Sequence, residues 1–284
     1  EPAFFARKQN VAWGGGRESD QHPGWIEMNL AELVEAVSAI ARQLHDLGVG
    51  KGTKVAILAE TSAMWSILDL AIISLGGVTV GIYPTLPADQ VHWLLDHSDS
   101  EILICENHAQ WSRLGELSQS KKLRHIKLIW EHPEGPAAFA TLEPDEGFLL
   151  DVISTVEPDD LCTLVYTSGT TGTPKGAMLP HGNFMAVIEA SAEVIPTIPG
   201  HRSVVFLPMA HSLQRFALYR GLYEEVLGYF CTIDDLEQTL QVAQPHILVT
   251  VPRMLEKIQQ QVLSKARKRG PKAEKFLMNA IVDG

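Results

Sequence analysis

The chain reads as an α/β fold, with mostly parallel sheets flanked by helices. Three observations predict it. Short apolar strands alternate with helical stretches, which implies right-handed crossovers between parallel neighbours. The helix expected over residues 63–75 is apolar nearly all round, so it belongs inside the molecule. The rhythm breaks over residues 132–159, which carry Pro133, Pro136, Pro144 and Pro158, and then resumes.

Taken in order, residues 17–23 are polar and read as a loop. Asn29 caps a first helix, with Glu32 as its capping-box partner three residues on. Leu30, Leu33, Val34, Val37, Ile40, Ala41, Leu44 and Leu47 follow at helical spacing, and Gly48 stops the helix where a left-handed residue is wanted. Strands are expected at 54–58, 78–82, 101–105 and 126–130, with Pro87 opening a third helix. The segment 132–159 reads as a surface connection with room for one short helix. Beyond it, strands are expected at 161–166, 203–207, 228–232 and 246–251, and helices near 184–194, 213–223, 235–243 and 253–268. The domain expectation is a first α/β region with its connecting segment over 1–150 and a second over 151–284.

A length of 284 residues, 45% hydrophobic and 20% charged, suits one large or two medium globular domains. A net charge of −11 argues against nucleic-acid binding, which needs a basic footprint. The basic run Lys265, Arg267, Lys268, Arg269, with Lys272 and Lys275 beyond, reads as a solvated helix end or a weak contact with an anionic surface. Cys105, Cys162 and Cys231 are widely spaced in or near apolar runs and read as buried thiols. The histidines show no short paired spacing that would suggest a zinc site. The N-terminus shows no secretory pattern, and its abrupt opening leaves room for upstream residues. The apolar stretch 64–83 contains Asp69 and Gly76-Gly77 and changes period midway, so no membrane span is expected there.

The segment that carries chemistry is Tyr166-Thr167-Ser168-Gly169-Thr170-Thr171-Gly172-Thr173-Pro174-Lys175-Gly176. An apolar strand feeds directly into it, and ligands of open α/β sheets sit outside the carboxyl ends of strands. Its glycines let the backbone approach a ligand closely. Thr167, Ser168, Thr170, Thr171 and Thr173 can donate to phosphate oxygens, and Lys175 adds a compact positive charge. A flexible linker is the plainer alternative, but a linker needs neither the lysine, nor the proline beside it, nor the apolar strand in front. The run is not a P-loop of the Walker type. From Gly169 the required second glycine falls on Pro174, and Gly176 follows Lys175 where Ser or Thr would stand.

This run resembles the phosphate loop of the adenylate-forming superfamily, which includes acyl-CoA synthetases, luciferases and peptide-synthetase adenylation domains. The continuation Ala177-Met178-Leu179-Pro180-His181-Gly182-Asn183 is similar to the family, as is Phe206-Leu207-Pro208-Met209-Ala210-His211 to its second core motif. The stretch from Val251 to Ile258, with Gly81-Ile82-Tyr83-Pro84-Thr85 upstream, looks like long-chain fatty-acid–CoA ligases. The resemblance implies two α/β subdomains of the large N-terminal domain of such an enzyme, cut short. It implies ATP, Mg2+ and coenzyme A. A fatty carboxylate would attack the α-phosphorus of ATP, giving an acyl-adenylate and pyrophosphate, and coenzyme A would then displace AMP. The implied ATP-binding residues are Thr167, Ser168, Gly169, Thr170, Thr171, Gly172, Thr173, Lys175 and Gly176, with Thr167 reaching the metal and Lys175 and His211 placed at the reacting centre.

By position alone His211 would be a satisfied structural histidine; the motif around it places it beside the adenylate and the acyl entrance. Arg253 could face an anion or pair with Glu256 one turn on. Many long-chain members carry Glu-Arg where this chain has Gln214-Arg215, so a salt bridge made there by relatives would be altered. No Tyr-Gly-x-Thr-Glu segment follows, and the ribose-binding Asp, hinge and C-terminal Lys of the family are not found, so these 284 residues alone are expected to make no acyl-CoA. Two other readings stay open: a non-catalytic nucleotide-binding module, and a fatty acyl-AMP ligase or carboxylate-reductase adenylation domain. The implied location is cytoplasmic, with peripheral membrane contact left open.

Overall fold

The computed structural model describes residues 3–8, 17–19, 23–115, 122–140, 143–167 and 174–272. The chain divides into two compact units, Glu1–Ile247 and Leu248–Gly284. The first opens with strands β1 (Ala3–Lys8), β2 (Arg17–Glu18) and β3 (Trp25–Asn29), then helix α1 (Leu30–Asp46). The Asn29 side chain accepts from the Glu32 N–H at 2.9 Å, and the Glu32 carboxylate accepts from the Asn29 N–H at 2.8 Å, the reciprocal cap expected. Gly48, at φ 86°, turns the chain out of the helix. Next come β4 (Lys54–Leu58), α2 (Ala63–Ser74), β5 (Val78–Ile82), α3 (Ala88–Ser98), β6 (Ile102–Cys105), a short α4 (His108–Ser112) and β7 (His125–Leu128). Helix α5 (Glu146–Ile153) is the short helix for which the connection left room. The unit continues with β8 (Leu161–Thr167), β9 (Lys175–Pro180), α6 (His181–Val194), β10 (Arg202–Val205), α7 (Ser212–Tyr223), β11 (Leu227–Phe230) and α8 (Leu236–Ala243). The described part of the second unit holds α9 (Pro252–Arg269).

The strands form a six-stranded sheet, in order β7-β6-β4-β5-β8-β9, and a five-stranded sheet, β10-β11-β1-β3-β2. In the larger sheet every pairing is parallel except β8 with β9. In the smaller sheet β10, β11 and β1 run parallel, with β3 and β2 antiparallel. Each sheet takes strands from both sides of residue 150. The period-two alternation of β4 sorts its side chains to opposite faces. Val55 and Ile57 pack with α1 and α2, while Ala56 and Leu58 pack with α3. Helix α2 is buried almost throughout, as its composition requires.

Three local expectations are corrected. Residues 246–251 do not form a strand: only Ile247 bridges to Ser203. The N–H groups of His246 and Ile247 both go to the Arg202 carbonyl, and Val251 is spent capping α9, where Pro252 takes the first helical position. Within the expected loop 17–23, Arg17 and Glu18 pair with β3, because a neighbouring strand supplies the partner that two polar residues do not announce. Residues 175–180, read as loop and continuation, form the edge strand β9. The three cysteines are buried thiols.

A candidate nucleotide and acyl site at the carboxyl edge of the larger sheet

Strand β8 ends at Thr167 on the carboxyl edge of the six-stranded sheet, and β9 returns antiparallel from Lys175. Thr167 and Lys175 are cross-strand partners, so the loop leaves and re-enters the sheet at a single pair roughly 5 Å across. Both residues are exposed. The next pair inward is Tyr166 with Gly176. Ser168, Gly169, Thr170, Thr171, Gly172 and Thr173 lie outside the described residues.

The second expected motif reaches the same edge. Residues 206–211 leave the end of β10 and cross over the ends of β4 and β5. The Thr61 hydroxyl donates to the Leu207 carbonyl at 2.8 Å. Gly81 of β5 meets Ala210 so closely that a Cβ at position 81 would stand 2.8 Å from the Ala210 Cα. Ala210, the residue before His211, therefore packs on β5, the strand next to β8. His211 is exposed and caps α7, its Nδ1 accepting from the Leu213 N–H at 3.2 Å. That contact leaves Nδ1 without a proton, so in the neutral ring Nε2 carries the hydrogen.

Beneath this edge lies a charged network that the sequence reading missed. Arg215 of α7 and Asp69 of α2 are 1% and 0% exposed. The guanidinium donates to both Asp69 carboxylate oxygens, at 3.1 and 2.6 Å, and to the Tyr219 hydroxyl and Thr163. The Tyr219 hydroxyl donates to Asp69, and Thr163 donates to the Thr79 carbonyl at 2.6 Å. Burial holds the Tyr219 phenol well above its ordinary pKa. One cation thus ties α7, whose first residue follows His211, to α2 and to β8, which leads into the candidate phosphate loop. The altered salt bridge expected at Gln214-Arg215 takes this form: Arg215 finds its acid on α2, and the Gln214 side chain accepts from the Leu207 N–H at 3.1 Å. The signal available in the sequence was Asp69 itself, a lone acid in an apolar helix.

Beside His211 opens an apolar cavity of about 590 Å3, within the range of small-molecule sites. Leu179 of β9, Phe184 and Val187 of α6, and Ser212, Leu213 and Phe216 of α7 line it. Among the described residues no group of three or more His, Cys, Asp or Glu side chains could hold a metal ion. Thr167 offers one neutral hydroxyl oxygen, a donor of the hard type that Mg2+ accepts, so a cation here would draw its other ligands from phosphates and water. Arg253 lies in the first turn of α9, in the second unit, and is exposed.

A mostly parallel six-stranded sheet, a smaller mixed sheet, a Gly/Ser/Thr-rich stretch of sequence after β8 and a histidine that caps α7 are the features to compare with known proteins. The family model described as "AMP-binding enzyme" matches residues 11–279, and the chain belongs to that family. Over 245 residues it is 36% identical to the long-chain-fatty-acid–CoA ligase FadD15 of Mycobacterium tuberculosis, covering 82% of this chain and 40% of that protein. Over 271 residues it is 30% identical to the human long-chain-fatty-acid–CoA ligase ACSBG2, covering 89% of this chain and 40% of that one. The inhibitor-bound N-terminal domain of FACL13 from Mycobacterium tuberculosis superposes with a TM-score of 0.68, covering 83% of this chain and 58% of that one. Its 21% identity makes this a likeness of fold. The chain spans less than half the length of these curated relatives.

Proposed function

We propose that this chain is the ATP-holding and acyl-holding part of a long-chain fatty-acid–CoA ligase. The protein that contains it activates a fatty acid as its adenylate and passes the acyl group to coenzyme A. The observation that carries the reading is the β8–β9 hairpin, which places Thr167 and Lys175 opposite one another at the two ends of the phosphate loop, at the carboxyl edge of a parallel sheet.

A fatty carboxylate and ATP are both anions, so the first step needs charge neutralisation and alignment more than proton transfer. Lys175 supplies a mobile positive charge at the loop's end, and the loop hydroxyls and amides supply donors to the β- and γ-phosphates. Mg2+, when bound with ATP, neutralises phosphate charge, and Thr167 is the residue this chain offers it. The acyl chain occupies the cavity between α6 and α7, where Phe184, Val187, Leu213 and Phe216 give it apolar walls. His211 directly precedes the lining residues Ser212 and Leu213 and carries its hydrogen on Nε2, which suits it to orient the carboxylate. No described helix is long and apolar enough to cross a membrane.

The test is Lys175→Ala in the full-length protein, assayed by fatty-acid-dependent pyrophosphate release. The expected result is a KM for ATP raised about tenfold or more, from loss of a charged hydrogen bond. Unchanged adenylation kinetics would remove Lys175, and with it this reading. Running the assay with and without coenzyme A separates a ligase from a fatty acyl-AMP ligase.

A further inference from the structure

Three aromatic side chains at the base of the phosphate loop have no part in the chemistry above. Trp93 and His97, one turn apart on α3, stack with ring centres 4.5 Å apart and planes 23° from parallel. Tyr166, the last residue of β8 before Thr167, meets both edge-on, at 6.1 and 5.7 Å. Its hydroxyl lies 2.9 Å from the His97 Nδ1, and the Ser98 side chain also hydrogen-bonds the phenol.

The same ring covers the backbone across the hairpin. A Cβ built on Gly176 would stand 3.1 Å from the Tyr166 Cζ and 3.3 and 3.4 Å from its two Cε atoms. Tyr166 thus lies flat over its own cross-strand partner, and glycine is the residue that lets it. The next pair outward is Thr167 with Lys175, from which the loop departs. Where the ring sits therefore decides how closely β9 approaches β8 at the loop's mouth. A phenol ring lying over an edge strand can rotate away from it unless its far end is held. Here the far end is held by the last turn of α3, and His97 is exposed, so this anchor contributes little to the core.

We infer that His97 is a positioning residue for ATP: through Tyr166 it keeps the ring seated on Gly176 and so fixes the separation of Thr167 and Lys175. The inference rests on the reading that the loop after Tyr166 holds the triphosphate. It predicts that the loss of His97 weakens the use of ATP and not of fatty acid, because the acyl cavity lies between α6 and α7 and shares no residue with this cluster.

The experiment compares the full-length wild type with His97→Phe, His97→Gln, Tyr166→Phe and Lys175→Ala, measuring pyrophosphate release against ATP and against fatty acid, with a thermal melt for each. His97→Phe keeps a ring stacked on Trp93 but loses the hydrogen bond. It should raise the KM for ATP about three- to tenfold, the worth of one net hydrogen bond, with kcat and the fatty-acid KM unchanged. His97→Gln, which can still reach the phenol, should recover most of that loss. Tyr166→Phe should weaken ATP use at least as much, and adding His97→Phe to it should cost nothing further. A purely structural role would lower the melting temperature and the active fraction while leaving the ATP KM in place. An unchanged ATP KM in His97→Phe, alongside a raised one in Lys175→Ala, overturns the inference and spares the loop assignment. An unchanged ATP KM in Lys175→Ala overturns both.

Discussion

Replacing Asp69 with asparagine removes one charge from a pair that water does not reach. The Arg215 guanidinium is 1% exposed, and among the described residues its one carboxylate partner is Asp69, held through two hydrogen bonds. Trp65, Phe184 and Tyr219 surround the guanidinium at 5.6, 5.8 and 5.5 Å from their ring centres, so no solvent compensates for a lost counter-charge. Breaking a buried pair from one side typically costs about 3–5 kcal/mol. Asparagine keeps an oxygen that can still accept from Arg215 and Tyr219, which places Asp69→Asn near the lower end, about 3 kcal/mol. A domain holds about 5–15 kcal/mol in all, so the loss is a large fraction of it.

The double variant Asp69→Leu/Arg215→Met behaves differently. Both charges leave together, and Thr163 keeps its bond to the Thr79 carbonyl. What remains is the Tyr219 hydroxyl with the Cys162 thiol as its weak partner, a loss of about 1–3 kcal/mol. The double variant should therefore be much less destabilised than the sum of Asp69→Leu and Arg215→Met. The assay is urea unfolding of the full-length protein followed by tryptophan fluorescence, with Trp65 as the local reporter. Asp69→Asn within about 0.5 kcal/mol of wild type, the range of an ordinary surface change, would refute the argument that this pair is desolvated and tied together.

Three further outcomes follow from the geometry. Gly81→Ala would drive a methyl group to within 2.8 Å of the Ala210 Cα, so it should cost about 1–3 kcal/mol and displace His211; full stability with native adenylation kinetics would contradict that contact. Burial pushes the Cys105 thiol up to about 12 and the Cys162 thiol up to about 11, from an ordinary value of 9.0. Both should resist iodoacetamide at pH 8 in the native protein and react once urea is added, and the stability they favour is present below pH 9 and declines as pH rises toward those values. Burial also lowers the pKa of His181 from 6.5, so the neutral ring favours the fold above pH 6.5 and that contribution fades as pH falls below it. His181→Gln should flatten the acid side of the stability profile, which urea titrations between pH 5 and 7, a window that straddles the ordinary histidine value, would read.

Local chemistry made much of this molecule legible from its residues alone. The Asn29–Glu32 capping box, the Gly48 stop and the bounds of β4 and β5 depend on neighbours within a few positions, and all appear where the spacing put them. The candidate phosphate loop is a sequence signal of the same local kind, in which glycines, hydroxyls, a proline and a lysine crowd into one stretch after an apolar strand. What tertiary structure alone decided is which distant segments meet. β9 is an edge strand whose Met178 is 67% exposed, so it carries no apolar alternation and exists only because β8 offers it a partner. The Asp69–Arg215 pair joins residues 146 positions apart, and nothing in the neighbourhood of either announces the other. The Tyr166 ring lies on Gly176 and is held by His97 for the same reason. Periodicity and capping act over one or two turns of chain, whereas the pairing of charges and the seating of rings are settled by packing between elements that the sequence does not order in space.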